Sequence, residues 1–462
     1  MAKSDAVWGI DIGQCALKAL RCRAGETPDK LIADAFDYIP YPKILSQPGA
    51  DPVELVQEAL KQFLSRNTVK GDRVAVSVPG QNGLARFIKL PPVEAKKIPD
   101  IVKYEAKQQI PFDLDDVVWD YQRMGGGSEA EGFVLETEVG LFAMKRDQVF
   151  RALEPFKMAG IEVDVVQLTP LALYNYLLFD QMTNLPPAEE YMPDDPPPSA
   201  VILSLGTNAT DLVITNGFRV WQRSIPLGGN HFTKALTKDL KLTFAKAEHL
   251  KCHAAKAKDP KRLFQAMRPV FNNLLNEIQH SIGYYTSIDR YAKLEKMVGL
   301  GNAMKMPGLR RYLAQSLDME VIRVDQFNHL TGNEVLSNST FRRNTPSFGV
   351  CYGLVVQALG IGQGTLKTNL LPRDIAQDRF IREKKPWAAA CLATVLLGCT
   401  IGFAGHALAL KSVSEENFKS AESSATAVTG EANSLSSQEE QKKGEFQTID
   451  KVGQHLIGNV DN

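Results

Sequence analysis

Three residues near the amino terminus have the types and spacing of a phosphate-binding turn. Asp11, Gly13 and Lys18 lie in "IDIGQCALKAL", where an apolar strand ends at a glycine and a second strand returns. A glycine turn lets backbone N–H groups approach phosphate oxygens. A carboxylate there can hold Mg²⁺ through water, and a lysine on the returning strand can offset phosphate charge. The same pattern also fits an ordinary hairpin with a solvated Asp11, so alone it is weak evidence.

The pattern returns after a long interval. "VILSLGTNATDLVITNG", residues 201–217, again predicts an apolar strand, a glycine turn and a second strand, with Ser204 and Gly206 in the places of Asp11 and Gly13. The interval between the two copies of the pattern is much longer than the repeat of a solenoid protein. Two such hairpins suggest an α/β protein with a cleft that has one hairpin on each wall.

Length, net charge and cysteine spacing limit the functions that the chain can have. The chain has 462 residues, enough for two or more domains, and a formal net charge of zero, which gives no basic field for nucleic acid. Its six cysteines contain no CxxC pair, which favours a reduced, cytoplasmic body. His249 and His253 are four residues apart, and a solvated helix face explains them better than a metal site.

One segment departs from this soluble pattern. Residues 387–410, "WAAACLATVLLGCTIGFAGHALAL", contain no Asp, Glu, Lys or Arg. As a helix this segment is about 36 Å long at ~1.5 Å per residue, against a hydrocarbon core of roughly 30 Å. The basic flank "REKK" predicts that the large amino-terminal part lies in the cytoplasm. The alternative is a buried core helix. Residues 411–462 are polar and predict a solvated helix or a weak coiled coil.

A set of longer strings carries a family resemblance. "IDIGQCALKAL", "LSLGTNATDLVI", "IPLGGNHFTKAL", "AEHLK" and "VGLGNAMKMPGL" occur in the order found in the actin-like ATPase fold. They resemble most closely its FtsA-like branch and, within it, the PilM family of type IV pilus assembly. "VPGQNGLARFIKLPP" and "YEAKQQIPFDLDDVVWDYQ" are similar to the stretch that leads into that family's inserted subdomain. The resemblance spans residues 5–360 and implies an α/β fold of two duplicated lobes.

The expected organisation follows from this resemblance and from the composition. It comprises a first lobe over 1–182 with an inserted subdomain at 88–162, a proline-rich connector over 183–199, a second lobe over 200–362, a tail and juxtamembrane linker over 363–386, a transmembrane helix over 387–410, and a periplasmic helical or disordered tail over 411–462.

The resemblance also implies ATP and Mg²⁺ as ligands of the cleft, with Asp11 as the metal residue. The residues that match the family's nucleotide-binding motifs are Asp11, Gly13 and Lys18 in the first phosphate loop, Gly206, Thr207 and Thr210 in the second, Gly228 and Gly229 in the ribose-side turn, Glu248 and Lys251 beside the nucleoside, and Gly301, Asn302 and Met306 in the adenine-side loop.

Three positions depart from the family pattern. Ser204 stands where the second phosphate loop has an acid, and Thr169 stands where the helix that links the lobes opens with one. Asn302 follows Gly301 where a Gly-Gly pair is common. Loss of two carboxylates removes the best candidates for orienting an attacking water, so no residue is assigned as catalytic.

The segment "TNLLPRD" resembles the "INLLP"-type tail by which the membrane protein PilN docks on PilM. Here Asn369, Leu370, Leu371 and Pro372 precede the apolar segment of the same chain. Two leucines can fill apolar pockets while the proline keeps the preceding residue extended. We expect docking on the chain's own body in cis or on a neighbouring chain in trans, with the groove in the subdomain that contains "EAKQQIPF". The alternative is an incidental linker whose leucines complete the packing of the domain.

The resemblance implies a scaffold of the type IV pilus inner-membrane platform, with PilN-like and PilO-like proteins, platform proteins and motors as partners. Residues 1–386 would be cytoplasmic and 411–462 periplasmic. The alternatives are an active ATPase that cycles its conformation, an FtsA-like filament former tethered to membrane, and the same scaffold role in type II secretion. An FtsA-like tether predicts an amphipathic carboxy-terminal helix, whereas this chain has a span-length apolar segment.

Nucleotide turnover by this chain is expected to be slow or absent although nucleotide binds, because Ser204 and Thr169 cannot act as carboxylates. Release of inorganic phosphate from ATP, followed with malachite green, measures this directly. Robust turnover that depends on the protein would contradict the prediction.

Overall fold

The computed structural model describes residues 4–125, 128–130, 133–135, 138–187, 190–192 and 194–457. The chain divides into two units, residues 1–376 and residues 377–462. The strands are β1 (Val7–Ile12), β2 (Ala16–Ala24), β3 (Leu31–Pro40), β4 (Arg73–Val78), β5 (Gly83–Lys89), β6 (Val93–Glu94), β7 (Val117–Arg123), β8 (Ser128–Ala130), β9 (Phe133–Leu135), β10 (Glu138–Lys145), β11 (Val165–Leu168), β12 (Ser199–Leu205), β13 (Thr210–Thr215), β14 (Val220–Ile225), β15 (Leu294–Leu300), β16 (Glu320–Arg323) and β17 (Leu330–Thr331).

The helices are α1 (Pro52–Arg66), α2 (Ile98–Gln109), α3 (Arg146–Met158), α4 (Thr169–Gln181), α5 (Gly229–Leu240), α6 (Phe244–Cys252), α7 (Pro260–Ile288), α8 (Leu309–Leu317), α9 (Asn333–Ser337), α10 (Ser339–Asn344), α11 (Gly349–Leu359), α12 (Arg373–Ser412) and α13 (Glu415–Ile457).

Two sheets with the same core pattern form the lobes of the first unit. The first has the order β11-β4-β1-β2-β3-β17 and the second has the order β14-β13-β12-β15-β16. In each, the opening strand pairs antiparallel with the next strand in sequence and parallel with a later one. The duplication predicted from the two glycine turns is therefore present as two equivalent hairpins.

A smaller subdomain interrupts the first lobe between β4 and β11. It contains the three-stranded sheet β5-β10-β7, the small sheet β6-β9-β8 and helix α2, with an apolar core of its own. The chain returns to the first lobe through α3, and β11 pairs in parallel with β4 at the sheet edge.

Two largely buried helices lie at the centre of the unit. Every residue of α11 except Leu359 is buried, and α4 is buried over residues 170–180. A Cβ on Gly353 would lie 1.7 Å from the carbonyl oxygen of Ala172, so only a glycine lets α11 lie this close to α4. Gly9 likewise lets β1 approach the carbonyl oxygen of Cys351, which a Cβ would meet at 2.3 Å. These contacts fix the positions of β1, which ends at the cleft, and of α4, which begins there.

Helix α12 contains the apolar segment that the sequence analysis singled out. Within the described residues there is one helical stretch that is long and apolar enough to cross a membrane by length and composition. Its apolar side chains are exposed, among them Trp387, Leu396 and Phe403. Helix α13 in the same unit runs for 43 residues.

Candidate nucleotide cleft and tail-docking groove

A cavity of about 480 Å³ opens between the two lobes. The turns that follow β1 and β12 line it from opposite sides, as the two hairpins predict. The residues of the predicted nucleotide site that line it are Asp11, Gly13, Lys18, Gly206, Thr207, Gly229, Glu248, Lys251, Gly301 and Asn302.

An ion pair stands at the base of this cavity. Lys18 lies directly opposite Asp11 in the β1–β2 register and donates a hydrogen bond to one of its carboxylate oxygens. The hydroxyl of Ser77 donates to the other oxygen at 2.8 Å. Burial disfavours the charged form of Lys18, but the Asp11 carboxylate outweighs that effect and the pKa of Lys18 lies above its ordinary value. The cleft therefore holds a buried cation that an incoming phosphate can share.

The second glycine turn is bonded to the start of α5. The amide of Gly229 donates to the carbonyl of Gly206 at 2.9 Å, and the amide of Asn230 donates to the carbonyl of Thr207 at 2.8 Å. A Cβ on Gly228 would lie 2.6 Å from the Thr207 carbonyl oxygen. The glycines of this turn thus serve close packing of loop on helix, and two amides of the helix start are already used.

The two threonines of the second phosphate loop have different surroundings. The Thr207 hydroxyl shares a 3.0 Å hydrogen bond with Cys15 Sγ of the first loop, and both residues line the cavity. Thr210 is fully buried, does not line the cavity, and donates to the Leu227 carbonyl at 2.6 Å. Thr207 can meet a ligand, whereas Thr210 anchors the β13–β14 hairpin.

Glu248 and Lys251 form a pair on α6. Lys251 Nζ lies 2.7 Å from Glu248 Oε2 and donates to the Gly229 carbonyl at 3.1 Å. The Thr233 hydroxyl donates to the same Glu248 oxygen. Because the second Glu248 oxygen has only a long contact with Cys252 Sγ, at 3.6 Å, it remains the better acceptor for a ligand hydroxyl.

The loop after β15 forms the opposite end of the cavity. Gly301 has a φ of 85°, and a Cβ there would lie 2.3 Å from the Leu205 carbonyl oxygen. Asn302 donates to the Tyr38 hydroxyl at 3.1 Å and accepts from Lys305 at 2.6 Å. Met306 is buried in the second-lobe core and does not line the cavity.

The sequence analysis overlooked one carboxylate in the cavity wall. Asp211 on β13 lies directly opposite Ser204 on β12, and both line the cavity. Burial raises the pKa of Asp211, a hydrogen bond from Ser224 partly offsets this, and the charge of Asp11 raises it further, to about 6. The sequence feature that could have identified Asp211 is that it is the single charged residue in the strand "TDLVIT".

Side chains also join the two glycine turns directly. The amide nitrogen of Asn208 donates to Gln14 at 3.1 Å, and its oxygen accepts from Ser46 at 3.1 Å and from Asn230 at 2.6 Å. The two glycine turns are therefore linked at the cleft edge by Gln14 and Asn208, with Ser46 and Asn230 bonded to Asn208.

Metal binding by protein ligands alone has no support in the described part of the chain, where no group of three or more His, Cys, Asp or Glu residues is placed to hold an ion. Mg²⁺ is commonly held by one or two carboxylates together with substrate phosphates. Asp11 fits that pattern, and Asp211 is placed to do the same.

Thr169 also lines the cavity, and its hydroxyl donates to the Val78 carbonyl at 3.1 Å.

A second site lies on the far side of the first lobe, where the "NLLP" segment docks on its own chain. The Asn369 side chain accepts from the Val166 amide at 2.9 Å and donates to the Asp164 carbonyl at 2.8 Å. The Leu370 amide donates to the Val166 carbonyl at 2.9 Å. Because β11 is an edge strand, this segment pairs with main-chain groups that the sheet leaves open.

Apolar contacts secure the same segment. Leu370 is completely buried in the first-lobe core, and Pro372 is buried as well. Leu371 is half-buried and borders a cavity of about 520 Å³ together with Leu114 and Trp119.

Side-chain amides of the body hold the residues just before the motif. Gln122 donates to the Thr365 carbonyl at 3.0 Å and accepts from the Lys367 amide at 2.7 Å. Asn175 on α4 exchanges two hydrogen bonds with the main chain of Leu366, at 2.7 and 3.0 Å. The partners of the tail thus come from β7, β11, α4 and α11. The subdomain that contains "EAKQQIPF", where the sequence analysis places the groove, contributes β7 with Gln122, whereas the main-chain partners of the motif come from the edge strand β11 of the first lobe.

Two hairpin-bearing lobes around a cleft, with a subdomain inserted in the first, define the actin-like ATPase fold. The chain belongs to the family described as type IV pilus assembly protein PilM, which matches residues 9–359. A structure described as the PilM–PilN type IV pilus biogenesis complex is similar over 77% of this chain and 99% of its own, with 24% identity and a TM-score of 0.62.

Two further structures show weaker similarity to this chain. They are the ethanolamine utilization protein EutJ from Carboxydothermus hydrogenoformans (14% identity, 76% of this chain and 90% of that one, TM-score 0.40) and the cytoplasmic domain of EpsL, an inner-membrane component of the Vibrio cholerae type II secretion system (12% identity, 52% and 77%, TM-score 0.29). Comparison with curated proteins found no match.

Replacement of Asp211 by Asn is expected to stabilise the protein above pH 6. The fold disfavours the charged carboxylate, so the stability of the native chain falls as pH rises through the range between the ordinary pKa of 3.8 and about 6. Removing that charge should raise the free energy of unfolding by about 1–3 kcal/mol at pH 7.5 and by little near pH 4.

Thermal unfolding at the two pH values measures this difference. Asp113→Asn removes a charge from an exposed residue and serves as the control. Equal responses of the two variants at both pH values would contradict the assignment of Asp211 as a buried charge.

Proposed function

We propose that the chain is a membrane-anchored scaffold of the type IV pilus assembly platform, which carries a PilN-like tail and a PilM-like body in one polypeptide. The observation that carries this proposal is the docked "NLLP" segment, followed at once by α12. Membership of the PilM family supports pilus assembly, and the solved PilM–PilN complex supports the kind of partner that the tail resembles.

Docking joins the tail rigidly to the body. Leu370 is part of the same apolar core as Val166 and Leu168 of β11. Arg146 on α3 lies 2.7 Å from Asp374, which extends the contact to the first turn of α12. A force on α12 would therefore reach the edge of the first-lobe sheet through hydrogen bonds and buried side chains. That is the behaviour expected of a scaffold that joins a cytoplasmic body to an inner-membrane segment.

The anchor is the apolar stretch of α12. Its exposed side chains need an apolar environment, and its basic flank, residues 382–385, favours the cytoplasmic side for the body. On this arrangement α13 lies in the periplasm. Partners there would be PilO-like membrane proteins, and partners on the cytoplasmic side would be platform and motor proteins.

We further propose that the cleft binds ATP with Mg²⁺. Lys18 can donate to phosphate oxygens, and glycines at both turns admit them. Glu248 Oε1, whose one contact is the long one from Cys252 Sγ, can accept from a ribose hydroxyl. Asp11 and Asp211 would hold Mg²⁺ directly or through water. Bound Mg²⁺ would supply neutralisation of the phosphate charge.

A second function, active ATP hydrolysis, has one observation in its favour. Asp211 has a pKa near 6 and lines the cavity opposite Ser204, so it can accept a proton from water near neutral pH. On this alternative, Asp211 acts in place of the acid that the family has at the position of Ser204. Turnover that is lost in Asp211→Asn while ATP binding persists would favour the enzyme over the scaffold.

Replacement of Asn369 by Asp tests the docked tail. Asp keeps the shape and can still accept from the Val166 amide, but it loses the donor to the Asp164 carbonyl. It also places a charge beside Asp120, whose carboxylate accepts from the main-chain amide of residue 369 at 2.8 Å. We expect the free energy of unfolding to fall by about 2 kcal/mol or more, and the Val166 amide to exchange its hydrogen faster.

Asn338→Asp provides the matched control. Asn338 accepts from the Thr340 amide at the start of α10, and Asp caps a helix as well as Asn does, so a change of less than about 0.5 kcal/mol is expected. Equal stability of the two variants, with Val166 still protected, would refute docking through Asn369.

A further inference from the structure

Part of the second lobe concentrates positive charge in a chain whose formal net charge is zero. Residues 234–268 run from within α5 through α6 to the first turns of α7, and they contain ten lysine and arginine residues against three acidic ones. Among the residues that the structure describes, Lys251 is the only one of these ten that forms an ion pair. The remaining cations are free to attract a negatively charged partner.

A cavity of about 510 Å³, the α7–α8 groove, lies between the first turns of α7 and the start of α8. Three aromatic residues line it, Phe264, Phe271 and Tyr312, together with the exposed cations Lys261 and Arg268. An apolar lining flanked by unpaired cations suits a ligand that carries apolar and acidic groups side by side.

Packing within the second lobe holds the aromatic lining in place. Phe271 is buried in the second-lobe core, and its ring centroid lies 5.6 Å from that of Tyr312 and 6.4 Å from that of Phe264. The Tyr312 hydroxyl donates to Asn272 Oδ1 at 3.0 Å, so its polar end is satisfied within the fold. An apolar side chain of a partner therefore meets a preformed surface, and binding orders few side chains of this chain.

The α8 side of the groove adds two arginines. Arg310 and Arg311 are exposed in the first turn of α8, between the lining residues Gly308 and Tyr312. Neither of them forms an ion pair with another described residue. The groove therefore has unpaired cations on both of the helices that form it.

Pro269 opens a main-chain acceptor on the α7 side. It lies inside α7 and has no N–H, so the Gln265 carbonyl lacks the donor that residue 269 supplies in a regular helix. Gln265 is exposed and lines the groove. A hydroxyl or side-chain amide of a bound polypeptide can donate to this carbonyl.

We propose that the α7–α8 groove binds an acidic amphipathic helix of another protein. Large apolar side chains of that helix would lie on the aromatic residues, and its carboxylates would face the two cations of α7 and the two arginines of α8. None of the residues that line the groove also lines the nucleotide cavity or the cavity beside Leu371. The proposal therefore does not depend on the proposed function.

Two other classes of anionic partner fit this shape less well. A membrane surface takes up apolar side chains that protrude from a protein, whereas these rings line a concavity. Single-stranded nucleic acid stacks its bases on accessible rings, and Phe271, which contacts both other rings, is only 7% exposed.

Binding of a synthetic helix to the full chain, held in nanodiscs of zwitterionic lipid, tests the proposal. The probe carries fluorescein, has Leu and Phe along one face and Glu along the rest, and its binding is followed by fluorescence anisotropy. We expect saturable binding that Arg268→Glu weakens about tenfold or more, because an attraction becomes a repulsion. Lys70→Glu makes the same change of charge at an exposed residue of the first lobe and should leave binding unchanged.

Two matched probes separate the apolar and the charged contributions. A probe with Ala in place of Leu and Phe keeps the charge and should bind about tenfold more weakly than the original probe. A probe with Lys in place of Glu should bind Arg268→Glu better than it binds the native chain.

The proposal would be overturned by absence of binding of the acidic probe, by equal affinities of Arg268→Glu and Lys70→Glu, or by equal affinities of the original and the Ala probe. A single-stranded oligonucleotide that binds more tightly than the acidic probe, and loses affinity in Arg268→Glu, would instead assign the groove to nucleic acid. ATP binding measured on the same samples reports the cleft separately, so failure of the groove is distinguishable from failure of the proposed function.

Discussion

The close approach of α11 to β1 and α4 is the constraint on which the first unit depends. Glycines at positions 9 and 353 remove the side chains that would collide with carbonyl oxygens of Cys351 and Ala172. With α11 seated there, β1 ends with Asp11 in the cavity, and α4 begins with Thr169 in the same cavity. The cleft therefore depends on packing that lies behind it rather than on the loops that line it.

The same two helices also hold the tail. Asn175 of α4 binds the main chain of Leu366, and Gln357 of α11 donates to the Thr368 carbonyl at 2.6 Å. One pair of buried helices thus contacts the floor of the cleft and the segment that leads to α12.

Much of this could be predicted from residue patterns, and the exceptions have physical causes. Asp51 accepts from the amides of Val53 and Glu54 and caps α1 as its position before Pro52 predicts. The burial of Thr210 and the position of Asp211 in the cavity wall could not be predicted, because strand register decides which face of β13 lies towards the cavity. The groove for Asn369 was also missed, since open main-chain groups at a sheet edge leave no side-chain signature.

The central claim, that the cleft between the two lobes is a nucleotide site, is tested most directly by equilibrium binding of ATP to the full chain with and without Mg²⁺. We predict saturable binding that Mg²⁺ strengthens and that Lys18→Met abolishes, while Lys30→Met on the exposed surface leaves it unchanged. No binding under either condition, or binding indifferent to Lys18, would contradict the account and leave the cleft as architecture alone.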